Sequence, residues 1–216
     1  WMQPVLAREV EGHKINSNVT FVVASNRRQD RAGVTGIITP FVNRCVTLEI
    51  EVDVESHVRW MLAHEMPPEL AAFERFKPEY IVSEPPREIA PWPTPRSIAL
   101  LGRLVKAGIE SYDVWAGTVG ESMATAFKAF RDVWHDLPAA ADIFREPETA
   151  NVPPRSRPDV LYALMGSLAY HVEPKTAKAL IVYLERVPPE MQVYCVKDAL
   201  LNKPALYNYP ALIEWA

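Results

Sequence analysis

Residues 19–50 read VTFVVASNRRQDRAGVTGIITPFVNRCVTLEI, and the fold turns on how this stretch is parsed. Val19, Phe21, Val22, Val23 and Ala24 form an apolar run rich in β-branched residues. Such a run predicts a strand buried on both faces of a parallel sheet. It stops at Ser25-Asn26-Arg27-Arg28, and ligand chemistry in open parallel sheets gathers beyond the carboxyl ends of the strands. Asn26 is therefore a candidate ligand-contacting amide. A short helix over 37–42 follows, with Pro40 near its first turn, and Arg44 comes after its end. From Cys45 to Asp53 the residues alternate, with Val46, Leu48, Ile50 and Val52 on one face and Thr47, Glu49, Glu51 and Asp53 on the other. That pattern predicts a second, half-buried strand near a sheet edge, with its acids facing solvent.

Length and composition set the outer limits. A chain of 216 residues has room for one or two domains and a sizeable core. With 49% hydrophobic and 23% charged residues, the composition is that of a globular protein. The net charge of −4 gives no global electrostatic argument for nucleic acid. No apolar run approaches a membrane span, and no secretory leader is visible. Cys45 and Cys195 stand in no metal spacing, which points to reduced thiols in the cytoplasm. Proline is abundant, with 20 residues. The chain opens on Trp1 rather than Met, which suggests a piece of something longer.

The motifs VVASN, NRRQDRAGV and FVNRC together resemble the second half of an AAA+ ATPase core, in the MoxR-like branch. The resemblance is strong from Trp1 to about Ala63 and looser beyond. It implies that Asn26 is sensor 1, positioning the attacking water near the γ-phosphate. It implies that Arg44 is an arginine finger reaching a neighbouring subunit's nucleotide. Further along, Thr94-Pro95-Arg96-Ser97 is similar to the Pro-Arg motif that opens a lid helix in this family, which makes Arg96 the nucleotide-binding sensor 2 arginine. The implied organisation is an α/β remnant of a P-loop AAA+ core over 1–52, with parallel strands at about 19–24 and 45–52. A helical lid over 53–145 and a C-terminal helical extension over 146–216 follow, so the chain is α-dominated.

Each of these residues has a plainer reading as well. Asn26 suits a turn, Arg44 complements the carbonyls at a helix end, and Arg96 can be a surface cation. Arg27, Arg28 and Arg31 either meet phosphate or another subunit, or form a solvated loop paired with Asp30.

Outside that stretch the periodicity is helical. Residues 1–11 carry helical apolar spacing through Met2, Leu6 and Val10, closed by Gly12. Val58, Met61 and Leu62 mark one helix and residues 69–76 a second. His57, His64 and Glu65 have no metal-site spacing and are placed at the surface. Residues 77–95 hold six prolines and form a stiff connector. Thr94 then caps a helix whose first residue is Pro95. Arg96 follows in the first turn, where a cation opposes the helix dipole, and so asks for a partner elsewhere. Helices are further predicted over 111–117, 119–134, 160–170, 176–184 and 191–201, with a polar, proline-rich boundary at 145–158.

The sequence lacks GxxxxGK[ST] and lacks an apolar strand ending in paired acids. ATP and Mg2+ are thus expected in a full-length parent and not on this chain alone. The simplest account is a fragment of a ring-forming remodelling ATPase, expected as a hexamer acting on a protein substrate or adaptor. A catalytically dead homologue is the second account. The alternative function is a non-enzymatic helical interaction module with a vestigial α/β piece.

Overall fold

The computed structural model describes residues 3–25, 39–86, 88–209 and 212. The chain divides into two compact units, Trp1–Glu51 and Val52–Ala216.

The first unit opens with a π-helical turn, Gln3–Ala7, and then a hairpin of β1 (Glu9–Val10) and β2 (His13–Lys14). The strands run antiparallel, with Glu9 opposite Lys14 and Val10 opposite His13. Glu11 and Gly12 connect them with φ of 48° and 84°. Two consecutive positive φ values make the two-residue turn whose twist suits a tight hairpin. The helix expected through Glu11 is thus corrected: Arg8, at φ 52°, breaks it, and Gly12 turns a hairpin instead of capping a helix. The Arg8 guanidinium donates to the carbonyl of Val19 at 2.7 Å, tying the chain after the hairpin back to it.

The two parallel strands expected at 19–24 and 45–52 are not formed. Both stretches are irregular, and the only sheet among the described residues is the hairpin. Val22 is 93% exposed, Val46 89%, Leu48 81% and Ile50 89%. A strand exists only where neighbouring backbone answers its N–H and C=O groups, and no described strand lies alongside either stretch. Neither strand expected of the P-loop remnant is thus formed among the described residues, whereas the α-dominated character holds. Helix α1 (Thr39–Val42) covers the later part of the helix expected over 37–42. Asn26, Arg27, Arg28, Asp30 and Arg31 lie outside the described residues.

The second unit is helical throughout. Asp53, expected on a strand's solvent face, instead caps α2 (Val54–Ala63), its carboxylate accepting from the Ser56 amide at 2.8 Å. Helix α3 (Pro68–Phe76) starts on a proline at its first position. Helix α4 (Pro95–Lys106) begins as expected, with Thr94 and Ser97 forming a reciprocal capping box. Helices α5 (Tyr112–Val119) and α6 (Glu121–His135) meet at Gly120, where φ is 83° and a Cβ would lie 2.7 Å from the Pro91 carbonyl oxygen. Only glycine fits that joint. Helix α7 (Ala140–Arg145) falls between the expected helices. Then come α8 (Pro158–His171), a 3₁₀ turn at Pro174–Thr176, α9 (Ala177–Leu184), α10 (Pro189–Asn202) and a 3₁₀ turn at Pro204–Asn208.

Two apolar clusters hold this unit together. Val58, Met61, Leu70, Phe73, Ile98 and Phe127 centre the first, contributed by α2, α3, α4 and α6. Phe73 stacks against Tyr80 and meets Phe127 and Phe130 edge-on. Leu164, Leu168, Leu180, Tyr183 and Cys195 centre the second, from α8, α9 and α10. Tyr162 and Leu137 pack against both. Helix α8 packs on α3 and α10, and Gly166 permits the approach: a Cβ there would sit 2.7 Å from that of Ala72. Among the described residues no helix is long and apolar enough to cross a membrane.

Candidate functional site

The three residues singled out by sequence fall in separate parts of the chain. Asn26 lies outside the described residues. Arg44 is exposed just after α1, its backbone amide donating to the Phe41 carbonyl at 3.0 Å. Arg96 belongs to the second unit and is exposed in the first turn of α4. Among the described residues its side chain makes no hydrogen bond or ion pair.

Sequence reading missed the charged groups that are buried. Arg75, on α3, sits at the centre of one set. Its Nε donates to Asp198 Oδ2 at 2.9 Å and its Nη1 to Glu55 Oε2 at 2.8 Å. Lys197 Nζ reaches the other Glu55 oxygen at 2.8 Å. The Arg75 guanidinium also lies 5.3 Å from the centre of the Tyr194 ring. The set therefore ties α2, α3 and α10 together. It borders a cavity of about 400 Å³ lined by Asp53, Glu55, Arg75, Tyr162 and Tyr194.

The ionisation of these groups follows from their surroundings. Hydrogen bonds from Arg75 hold the Glu55 carboxyl down to about 2, against partial burial. Burial pushes the Asp198 carboxyl up, and the guanidinium only partly offsets it. Arg75 itself is raised, because two carboxylates outweigh its burial. The two sides of the Arg75–Asp198 pair shift differently for a physical reason. Arg75 has a second carboxylate in its favour, whereas Asp198 is more deeply buried and faces the like charge of Glu55. The two-point contact with Arg75 favours the anionic form of Asp198.

The sign for Glu55 is that of a depressed acid. Its contribution to stability is present above its ordinary 4.5 and is lost as pH falls toward about 2. Urea unfolding of the wild type and of Glu55→Gln is therefore expected to show a stability gap that is widest above pH 4.5 and closes toward pH 2. A gap constant across that range would remove Glu55 from the acid response.

A second buried acid is Glu74 on α3, 1% exposed. Its two oxygens lie 3.0 and 2.9 Å from His57 Nδ1. Burial raises the Glu74 carboxyl and His57 pulls it back. The other ring nitrogen, Nε2, is 3.1 Å from the Pro95 carbonyl oxygen. His57 was expected at the surface; a buried carboxylate instead draws it inward, since such a group is costly without a donor.

A larger cavity, about 700 Å³, lies against Trp134, Leu137, Phe144, Ser167, His171 and Lys175. The Ser167 hydroxyl is 3.5 Å from His171 Nδ1, but that nitrogen is 2.8 Å from the Ser167 carbonyl oxygen. Nδ1 therefore carries a proton that it donates to the carbonyl, and it is not free to accept one from the hydroxyl. This is not a nucleophile and its base. Among the described residues no cluster of three or more His, Cys, Asp or Glu is arranged to hold a metal ion.

Comparison of the chain with protein-family models, with curated proteins and with solved structures finds no match.

Proposed function

We propose that this chain is the C-terminal portion of a MoxR-like AAA+ ATPase, contributing a sensor and two arginines to nucleotide sites completed by other polypeptide. The observation that carries the reading is Arg96. It stands exposed in the first turn of α4, without a described partner, where a cation opposes the helix dipole. Its root is nevertheless fixed by the capping box of Thr94 and Ser97. A cation held at an unfavourable place and left open to solvent suits an external anion. The exposed, strand-patterned Val46, Leu48 and Ile50 give separate support, since a companion sheet would cover them.

The described residues do not by themselves fit ATP and Mg2+: they provide neither a glycine-rich amide nest nor a carboxylate cluster. Those parts belong to a companion half that carries the phosphate-binding loop. Within the assembled ring, a cytoplasmic hexamer on this reading, Arg96 meets phosphate in its own subunit and Arg44 reaches the next one. Asn26 orients water, and the helical unit moves with the nucleotide to remodel a protein substrate or adaptor.

The test joins the chain to a companion half bearing that loop and measures ATP turnover. Turnover is expected in the joined protein, with Arg96→Ala lowering it about tenfold and weakening nucleotide affinity. Joined protein that binds no ATP, or Arg96→Ala with unchanged affinity and rate, overturns the reading. A non-enzymatic interaction module is then what remains. One observation favours that second reading: the helical unit closes two apolar clusters from its own residues.

A further inference from the structure

We propose that His57 is a positioning residue for Arg96, with Glu74 as the buried anchor that orients it. The inference rests on the ATPase reading for its catalytic consequence, but the geometry behind it is independent of nucleotide.

Satisfying Glu74 requires only one donor, yet His57 uses both ring nitrogens. Nδ1 faces the Glu74 carboxylate at 2.9 and 3.0 Å. Nε2 faces the carbonyl of Pro95, the residue immediately before Arg96, at 3.1 Å. The ring therefore bridges three helices: it grows from α2, is gripped by α3 and holds the first residue of α4. The side chain of His57 is 10% exposed and that of Glu74 2%, so water competes little for either bond. The same turn is fixed twice more. Ser97 Oγ accepts from the Thr94 amide at 2.8 Å and donates to the Trp92 carbonyl at 3.1 Å. Pro95 adds a locked φ. Three restraints thus converge on the backbone from which a long, unpaired, exposed arginine projects. Fixing the root of a flexible cation limits the volume its tip explores, which is how a second layer of contacts orients a group that acts on phosphate.

Two substitutions separate the bonds. In His57→Asn the side-chain amide takes the place of Nδ1, keeping a donor for Glu74 but falling short of Pro95. In His57→Gln the amide nitrogen reaches the place of Nε2. Both are measured in the joined protein described above, for kcat and KM with ATP, beside Arg96→Ala. Hydrogen exchange is followed at the Ile98 amide, which donates to the Thr94 carbonyl at 2.9 Å, with α10 as an internal reference.

His57→Asn is expected to lower kcat about tenfold with KM changed far less, and to speed exchange at Ile98, whereas His57→Gln, which keeps the Pro95 contact but not the Glu74 anchor, recovers part of both. Normal kcat and normal exchange at Ile98 in His57→Asn, with any defect confined to His57→Gln, overturn the positioning role: the ring would then serve only to neutralise Glu74, which the Asn amide still does. A slow Arg96→Ala with a normal His57→Asn removes His57 and leaves the ATPase reading standing. An unchanged Arg96→Ala removes the ATPase reading, and exchange at Ile98 still decides whether His57 holds the turn.

Discussion

Arg75→Met is expected to destabilise the helical unit by about 3–5 kcal/mol, the range for removing one partner of a buried ion pair. The side chain of Arg75 is 13% exposed and that of Asp198 4%. Without the guanidinium, Asp198 is left as a buried carboxylate with Lys197, on its own helix, as the nearby cation among the described residues. It must then protonate or draw water into the contact between α3 and α10. The methionine keeps much of the apolar stem but not the stacking over Tyr194. Arg75→Lys is expected to recover little, because an ammonium cannot fork between Glu55 and Asp198. Adding Asp198→Leu to Arg75→Met removes the stranded charge and is expected to regain a large part of the loss. Urea midpoints for the three variants check this. A shift below about 1 kcal/mol for Arg75→Met would mean that water already reaches the cluster, as at a surface pair.

The second large effect concerns activity. On the proposed ATPase reading, Arg44→Ala lowers turnover about 10³-fold while ATP affinity stays near that of the wild type. An arginine acting across a subunit boundary stabilises charge that grows during phosphoryl transfer, so its loss is felt in kcat more than in binding. Arg44 follows α1 and is exposed, a placement compatible with reaching beyond its own chain. Mixing Arg44→Ala with wild-type subunits sharpens the measurement, because a finger that works in trans fails at the site it reaches rather than at the site of its own subunit. Mixtures in which each subunit retains the activity of its own type, or homogeneous Arg44→Ala with normal turnover, remove Arg44 from the mechanism.

Local signals in the sequence were reliable where the structure is decided locally. Thr94-Pro95 announces the start of α4 because cap and first-turn chemistry involve residues three apart. The apolar faces of α2 and α6 follow from helical periodicity, which needs no knowledge of the partner. The alternation at 45–53 was misleading for the opposite reason. Period-two patterning describes how a strand would present its faces, but whether a strand forms depends on backbone supplied from elsewhere. Asp53 shows the competition directly: the same acid that fits the polar face of a strand is a better cap for the helix that follows.

The buried charges were legible only in part. Arg75 and Asp198 are 123 residues apart in sequence, so no local pattern pairs them. Yet Met191, Tyr194, Cys195, Asp198 and Ala199 share one buried stripe of α10, and an acid on an apolar stripe already demands a cation. Glu74 interrupts the stripe of Leu70 and Phe73 on α3 in the same way. Those two interruptions were the available signal for the Arg75 cluster and the His57 bridge. Asn26, the candidate sensor 1 residue, lies outside the described residues.

The two cysteines differ sharply in accessibility: Cys45 is exposed beside the strand-patterned stretch, and Cys195 is buried in the second apolar cluster, where burial pushes its thiol up. Access for a thiol reagent is therefore confined to one position. A maleimide fluorophore added to the native chain reports from residue 45 alone, with no engineered substitution. On the proposed reading, its polarity-sensitive emission reports whether a companion polypeptide covers Val46, Leu48 and Ile50 or leaves them in water.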